Sequence, residues 1–168
     1  MSKIAIIYSS RMNYTKKYAQ WIAEELNCDI FHCKPTLKEL LPYDYIIYGG
    51  GYYNGTINGL DYFINLVNCL PKKFVLFFTG VSNLTQEEIV ATSKNFLGDN
   101  YGKIEKIFYF RGGLNYKKLN PLSKAVFVRF KKSPQNFNSE QKYILNHLDT
   151  EFNFSNKTFI SPLLQYFN

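Results

Sequence analysis

The sequence predicts a doubly wound α/β domain with five parallel strands in the order 2-1-3-4-5. Two observations carry that expectation. Short apolar runs alternate with segments of helical periodicity as far as residue 113, and strands separated by helices pair in parallel through right-handed crossovers. The turns after the first, third and fourth runs are polar or glycine-bearing, and ligands of such sheets sit beyond the carboxyl ends of the strands. The 168 residues suffice for one domain, 1–168, with a real core.

Each element has its own signal. Lys3-Ile4-Ala5-Ile6-Ile7-Tyr8 reads as a strand buried on both faces. Tyr18, Ile22 and Leu26, with Ala19 and Ala23 beside them, recur at helical spacing. Asp29-Ile30-Phe31-His32 is a second short strand. Tyr45-Ile46-Ile47-Tyr48 is a third, ending in Gly49-Gly50-Gly51, and Leu60, Phe63, Ile64 and Val67 form the next helix face. Phe74-Val75-Leu76-Phe77-Phe78 is the most apolar strand. Thr85 and Glu88 have capping-box spacing for a helix bearing Ile89, Phe96 and Leu97. Residues 104–110 supply the fifth strand.

After Gly113 the alternation stops. Residues from about 114 to 151 read as a basic helical insertion before the last helix. One helix is expected near 122–130, with Leu122, Ala125, Val126 and Phe130 facing the domain, and another near 140–148. Ser155 is placed to cap the last helix, where Pro162 fits only in the first turn.

Composition narrows the functional classes. The formal charge is +7, and from Lys106 to Ser139 there is no acidic residue. Such an excess favours anionic partners. The 114–133 stretch reads either as a solvated helix or as a basic amphipathic surface for an anionic membrane. The aromatics lie mainly in strands and no nucleic-acid signature is present, so no nucleic-acid partner is expected. No apolar run approaches the ~18 residues of a membrane span. Residues 1–4 do not begin a signal peptide, and the expectation is a cytoplasmic protein, at most peripheral to a membrane. Cys28, Cys33 and Cys69 lack CxxC or zinc-ligand spacing and are expected as buried thiols, with a Cys28/Cys33 redox pair as the alternative. His32 and His147 are expected as structural or surface residues, and no metal site, catalytic triad or carboxylate pair is evident.

The loop Ser9-Ser10-Arg11-Met12-Asn13-Tyr14-Thr15 joins the first strand to the first helix. Backbone N–H groups converging there, together with the helix dipole, suit an anion. The Ser10 and Thr15 hydroxyls can donate to phosphate oxygens, and Asn13 tolerates a left-handed turn. The same residues would also make an ordinary strand-to-helix loop, so the spacing alone leaves both readings open.

Strand, Ser10-x-x-x-x-Thr15 and amphipathic helix together resemble the phosphate loop of flavodoxins. Tyr43-Asp44-Tyr45-Ile46-Ile47-Tyr48-Gly49 and the Gly- and Tyr-rich loop after it resemble that family's third strand and first flavin-flanking loop. Phe108-Tyr109-Phe110-Arg111-Gly112-Gly113-Leu114-Asn115-Tyr116-Lys117-Lys118-Leu119 resembles a narrower flavodoxin-domain branch, which includes menaquinone-dependent protoporphyrinogen IX dehydrogenase. The resemblance implies FMN as cofactor. Ser10, Arg11, Met12, Asn13, Tyr14 and Thr15 would hold its phosphate. Gly50, Gly51, Tyr52, Tyr53, Asn54 and Gly55 would flank the ring, with Tyr52 or Tyr53 stacking on it. Thr79, Gly80, Val81 and Ser82 would turn backbone N–H groups to its pyrimidine edge.

Met12 stands where the family usually has Thr, and Asn13 where it has Gly, which predicts a weaker phosphate site. The resemblance further implies an FMN-dependent oxidoreductase or electron-transfer flavoprotein. Its partner would be a redox protein or a small donor or acceptor, a porphyrinogen or quinone among them. The alternative is a binding module that kept the fold and lost the cofactor.

Overall fold

The computed structural model describes residues 1–32 and 34–168. In chain order it forms β1 (Ile4–Ser9), α1 (Tyr14–Leu26), β2 (Asp29–Phe31), α2 (Leu37–Leu40), β3 (Tyr45–Tyr53) and β4 (Thr56–Ile57). Then come α3 (Leu60–Cys69), β5 (Lys73–Gly80), α4 (Gln86–Leu97), β6 (Lys106–Arg111) and β7 (Gly113–Leu114). The chain ends with α5 (Pro121–Lys132), α6 (Ser139–Asn146), β8 (Phe152–Asn153) and α7 (Ser161–Phe167). The main sheet runs β2-β1-β3-β5-β6, parallel throughout, which is the doubly wound order read from the sequence.

Side-chain alternation along the strands sorts the core into two layers. Ala5, Ile7, Ile46, Tyr48, Leu76 and Phe78 meet α3 and α4 through Phe63, Leu66 and Phe96. Ile6, Ile47, Val75, Phe77 and Phe110 face the other way, onto Tyr18 and Ile22 of α1 and Leu163 of α7. With both faces covered, the central strands are apolar on both sides, and in β5 Phe74 to Phe78 are all buried.

A third apolar cluster stands apart from these two. It gathers Leu114, Leu119, Phe127, Ile144, Leu145, Leu148 and Phe152 from the segment between β7 and β8. That segment leaves the sheet after β6 and returns through the short β7–β8 ladder.

Several expectations needed correction. The third strand does not stop at Tyr48. β3 runs to Tyr53 and turns back into β4, with Tyr53 opposite Thr56. The two turn residues, Asn54 at φ 51° and Gly55 at φ 83°, make the left-handed pair of a type I′ hairpin, so Asn-Gly was a hairpin signal inside an apparent loop. The inner face of α5 is also different. Ser123 and Phe127 are buried, while Leu122 is 81% exposed and Ala125 is exposed as well. The Asn120 side chain accepts the Ser123 N–H at 2.7 Å and sets the helix phase, and Phe127 brings more apolar surface to the core than Leu122 would. Pro162 does fall in the first turn of α7, and Asn156 rather than Ser155 caps the 3₁₀ turn leading into that helix. Cys69 is exposed and Cys28 half-buried; Cys33 lies outside the described residues.

Candidate functional site

At the carboxyl end of β1, residues 10–13 cross to α1 and Asn13 takes the left-handed conformation at φ 67°. That turn lets the first N–H groups of α1 open outward, and they are the orphan donors every helix start leaves. Thr15 in the first turn is 2% exposed and Thr79 at the end of β5 is 4% exposed. Their Oγ1 atoms lie 2.7 Å apart. One hydroxyl donates to the other, so one proton of the pair remains to be given away, and among the described residues nothing takes it. Ser10 lines the same cavity, half-buried, as does Gly51 of β3. Apolar side chains, Leu114, Leu119 and Phe127 among them, complete the lining, so the few polar groups sit in an otherwise apolar cavity that holds no carboxylate.

Arg11, Met12 and Tyr14 line the same cavity, and each also makes a contact elsewhere. Met12 packs into the third cluster, and its Sδ receives the Asn115 N–H at 3.5 Å. It therefore tethers the loop to the segment beyond β7 while also lining the small cavity. Tyr14 lies against Gly112 and Gly113, where a Cβ would crowd or collide with it. Its hydroxyl points to Glu151 Oε1 at 3.0 Å and the Phe152 carbonyl at 3.2 Å. Burial, then the Glu151 carboxylate, push its pKa up to about 12. Arg11 is exposed, with Nη1 3.5 Å from Ser123 Oγ. Asn13 contributes backbone conformation without lining the cavity.

A larger cavity of about 390 Å³ adjoins this site, sharing Tyr52, Tyr53, Gly80, Val81 and Phe127 with it. One wall is the β3–β4 hairpin with Asn54 and Gly55, and another is the loop after β5 with Ser82 and Leu84. Gly50 is not in either wall; it is buried in β3, paired with Ser9 and Phe78. Thr79 lines only the smaller cavity.

The loop after β5 is held from one side. The Gly80 carbonyl accepts Gly112 N–H at 2.7 Å, Val81 accepts Arg111 Nε at 3.0 Å, and Ser82 accepts the Tyr109 hydroxyl at 2.6 Å. In a trans peptide the N–H opposes the preceding carbonyl. Fixing the Gly80 and Val81 carbonyls toward β6 therefore turns the Val81 and Ser82 N–H groups toward the β3 side.

Tyr52 and Tyr53 divide by strand alternation. Tyr52 packs on Phe78 and Phe96. Tyr53 faces α5, its ring 5.8 Å from Phe127 and its hydroxyl donating to the Ser123 carbonyl at 2.6 Å.

The segment between β7 and β8 roofs the cavity with Phe127, Phe130, Phe137, Ile144 and Leu145. Glu140 of α6 latches it down. Its Oε2 takes Arg111 Nη2 at 2.7 Å and its Oε1 takes the Asn83 N–H at 3.0 Å. The Arg111 guanidinium also stacks on Phe154 at 3.6 Å. Sequence reasoning missed Arg111, Tyr109 and Glu140 as site-forming residues. Arg111 had a signal, since it ends a strand on the ligand side of the sheet; Glu140 had none.

These features define an α/β protein with two adjoining cavities at the carboxyl edge of a doubly wound parallel sheet. The chain belongs to the flavodoxin-domain family, whose sequence profile matches residues 5–140. Among solved structures, a candidate flavoprotein from Bacteroides uniformis is 18% identical, with a TM-score of 0.50 over 70% of this chain and 95% of that one. A flavoprotein in complex with FMN from Lactobacillus acidophilus is 14% identical, with a TM-score of 0.46 over 65% of this chain and 93% of that one. Oxidised flavodoxin 1 from Bacillus cereus is 19% identical, with a TM-score of 0.44 over 66% of this chain and 84% of that one. At these identities the likeness concerns the fold alone. No curated protein is significantly similar to the chain.

Proposed function

We propose that this protein binds FMN and acts as an oxidoreductase or electron-transfer protein of flavodoxin type. One observation carries the reading: a buried hydroxyl pair with a proton to give, at a helix start, lines a small cavity that shares a wall with an aromatic-walled cavity of about 390 Å³. The residues fit the group at both ends. A phosphate needs donors and no carboxylate beside it, which Ser10, Thr15, Thr79 and the first turn of α1 provide. A flat ring needs apolar walls and edge donors, which Tyr53, Phe127 and the Val81 and Ser82 N–H groups provide. When bound, FMN supplies the redox chemistry and the protein supplies binding, orientation and exclusion of water.

In this reading residues 1–168 act as one unit, and the insertion at about 114–151 is the cover of the ring site. Its apolar lining, Phe130, Phe137, Ile144 and Leu145, suits an apolar planar partner such as a porphyrinogen or quinone. The likeness of residues 108–119 to the protoporphyrinogen dehydrogenase branch favours the same class. Electrons would otherwise come from or go to a redox protein.

The test begins with the purified protein, expected to be yellow and to release FMN on denaturation. Reduced protein should pass electrons to a soluble quinone faster than to a small charged acceptor. A colourless protein that takes up no added FMN would establish the alternative, a binding module without a flavin.

A further inference from the structure

We infer that the outward face of α5 docks on an anionic lipid bilayer. The helix has two opposite faces. Ser123 and Phe127 point inward, with Val126 and Phe130 beside them, and Phe127 and Phe130 roof the cavity. Leu122, Ala125, Val128, Arg129 and Lys132 occupy the opposite arc at helical spacing, all exposed. Leu122 is 81% exposed and Val128 46% exposed, while Ser123 is buried at 5%. Apolar and cationic side chains thus stand side by side on one exposed face, with Leu122 and Val128 at its edges. An interfacial helix offers such a face to headgroups and acyl boundary together.

Charge points to the same partner. Lys117 and Lys118 precede the helix, and Arg129, Lys131 and Lys132 end it. Among the described residues none of these has an ion-pair partner; the two pairs seen are Arg111–Glu140 and Lys157–Glu25. An acidic protein would complement the cations but would need a separate apolar patch for Leu122 and Val128. A bilayer presents anionic headgroups and the acyl boundary in one plane, which suits an outer face on which Leu122, Ala125 and Val128 alternate with Arg129 and Lys132. No helix among the described residues is long and apolar enough to cross a membrane, so the contact is peripheral. Because the inner face of α5 walls the cavity, docking would bring the mouth of the site within about one helix diameter, ~10 Å, of the headgroups.

The experiment is vesicle flotation with the full chain, using phosphatidylcholine alone and phosphatidylcholine with phosphatidylglycerol. The chain should float only with the anionic vesicles at low salt and be released at high salt. Substituting Arg129→Gln, Lys131→Gln and Lys132→Gln together should weaken binding by roughly five-fold per charge. Leu122→Ser with Val128→Ser should weaken it at unchanged charge. None of these residues lines the FMN cavity, so FMN uptake measured on the same variants tests the flavin reading separately. Absence of binding to anionic vesicles at low salt would overturn the inference. So would a charge-neutralised variant that binds like the parent. If the Leu122/Val128 variant binds undiminished and soluble polyglutamate displaces the chain, the inference is overturned in favour of an acidic protein partner.

Discussion

Thr15 and Thr79 stand 64 positions apart, yet their hydroxyls share one hydrogen bond in the core. The pair ties the helix that would receive a phosphate to the strand whose loop would receive the ring. Thr15→Val removes a charge-assisted donor, worth roughly 1.5–3 kcal/mol, so FMN affinity should fall about 10- to 100-fold. Riboflavin, which lacks the phosphate, should lose less. Equal losses in a fluorescence titration would put the phosphate elsewhere. Met12 makes the opposite kind of point. As a missing hydroxyl it would invite repair by Met12→Thr; as a tether to Asn115 it should resist it. Met12→Thr is expected to leave FMN affinity no better and to make the segment between β7 and β8 easier to cleave by protease. A gain in affinity would show that the tether reading is wrong.

Among the elements, the β3–β4 hairpin and the α6 latch shape the larger cavity. Gly55 sits at φ 83°, and a Cβ added there would meet nothing within 4 Å, so any side chain at this position faces backbone strain alone. Gly55→Ala should cost about 1 kcal/mol in a denaturant titration, the left-handed penalty with no clash added. A cost near zero would mean the turn relaxes to another type. The latch rests on one carboxylate. Glu140→Gln removes the ion pair with Arg111 but leaves that guanidinium stacked on Phe154 and bonded to Val81. A partly exposed pair contributes only about 0–1 kcal/mol, so global stability should barely change. Hydrogen exchange should nevertheless quicken in α5 and α6 while β1, β3 and β5 stay protected. Uniform quickening would place the latch in the global fold instead of the cover.

For the whole molecule, the Tyr14 hydroxyl joins the first helix to Glu151 and Phe152 near the other end of the chain. Its folded pKa is raised to about 12 from an ordinary value near 10. The neutral phenol is the form the fold favours. Its contribution to stability is therefore complete below pH 10 and fades as the pH rises through 10 to 12, where the unfolded chain ionises first. The stability difference between the parent and Tyr14→Phe should shrink across that window; a constant difference would mean the bond makes no pH-dependent contribution.

Strand order and helix spacing were legible in the sequence because both depend on local periodicity: a period near 3.6 in α1, unbroken apolar runs in β1 and β5, and short crossovers between them. The left-handed turn of the loop between β1 and α1 was legible because Asn13 is one of the few residues that can take it, and the loop became a phosphate candidate because a helix start always leaves donors. The inward face of α5, the pairing of Thr15 with Thr79, the role of Met12 and the Glu140 latch were not. Each depends on which surface arrives opposite it from a distant part of the chain. Leu122, Ala125, Val126 and Phe130 make as good a helix stripe as Ser123, Phe127 and Phe130; the Asn120 cap on Ser123 and the packing of Tyr53 and Tyr116 on Phe127 decide between them. The helix was written locally, and its orientation was decided by the side chains that the folded sheet placed beneath it.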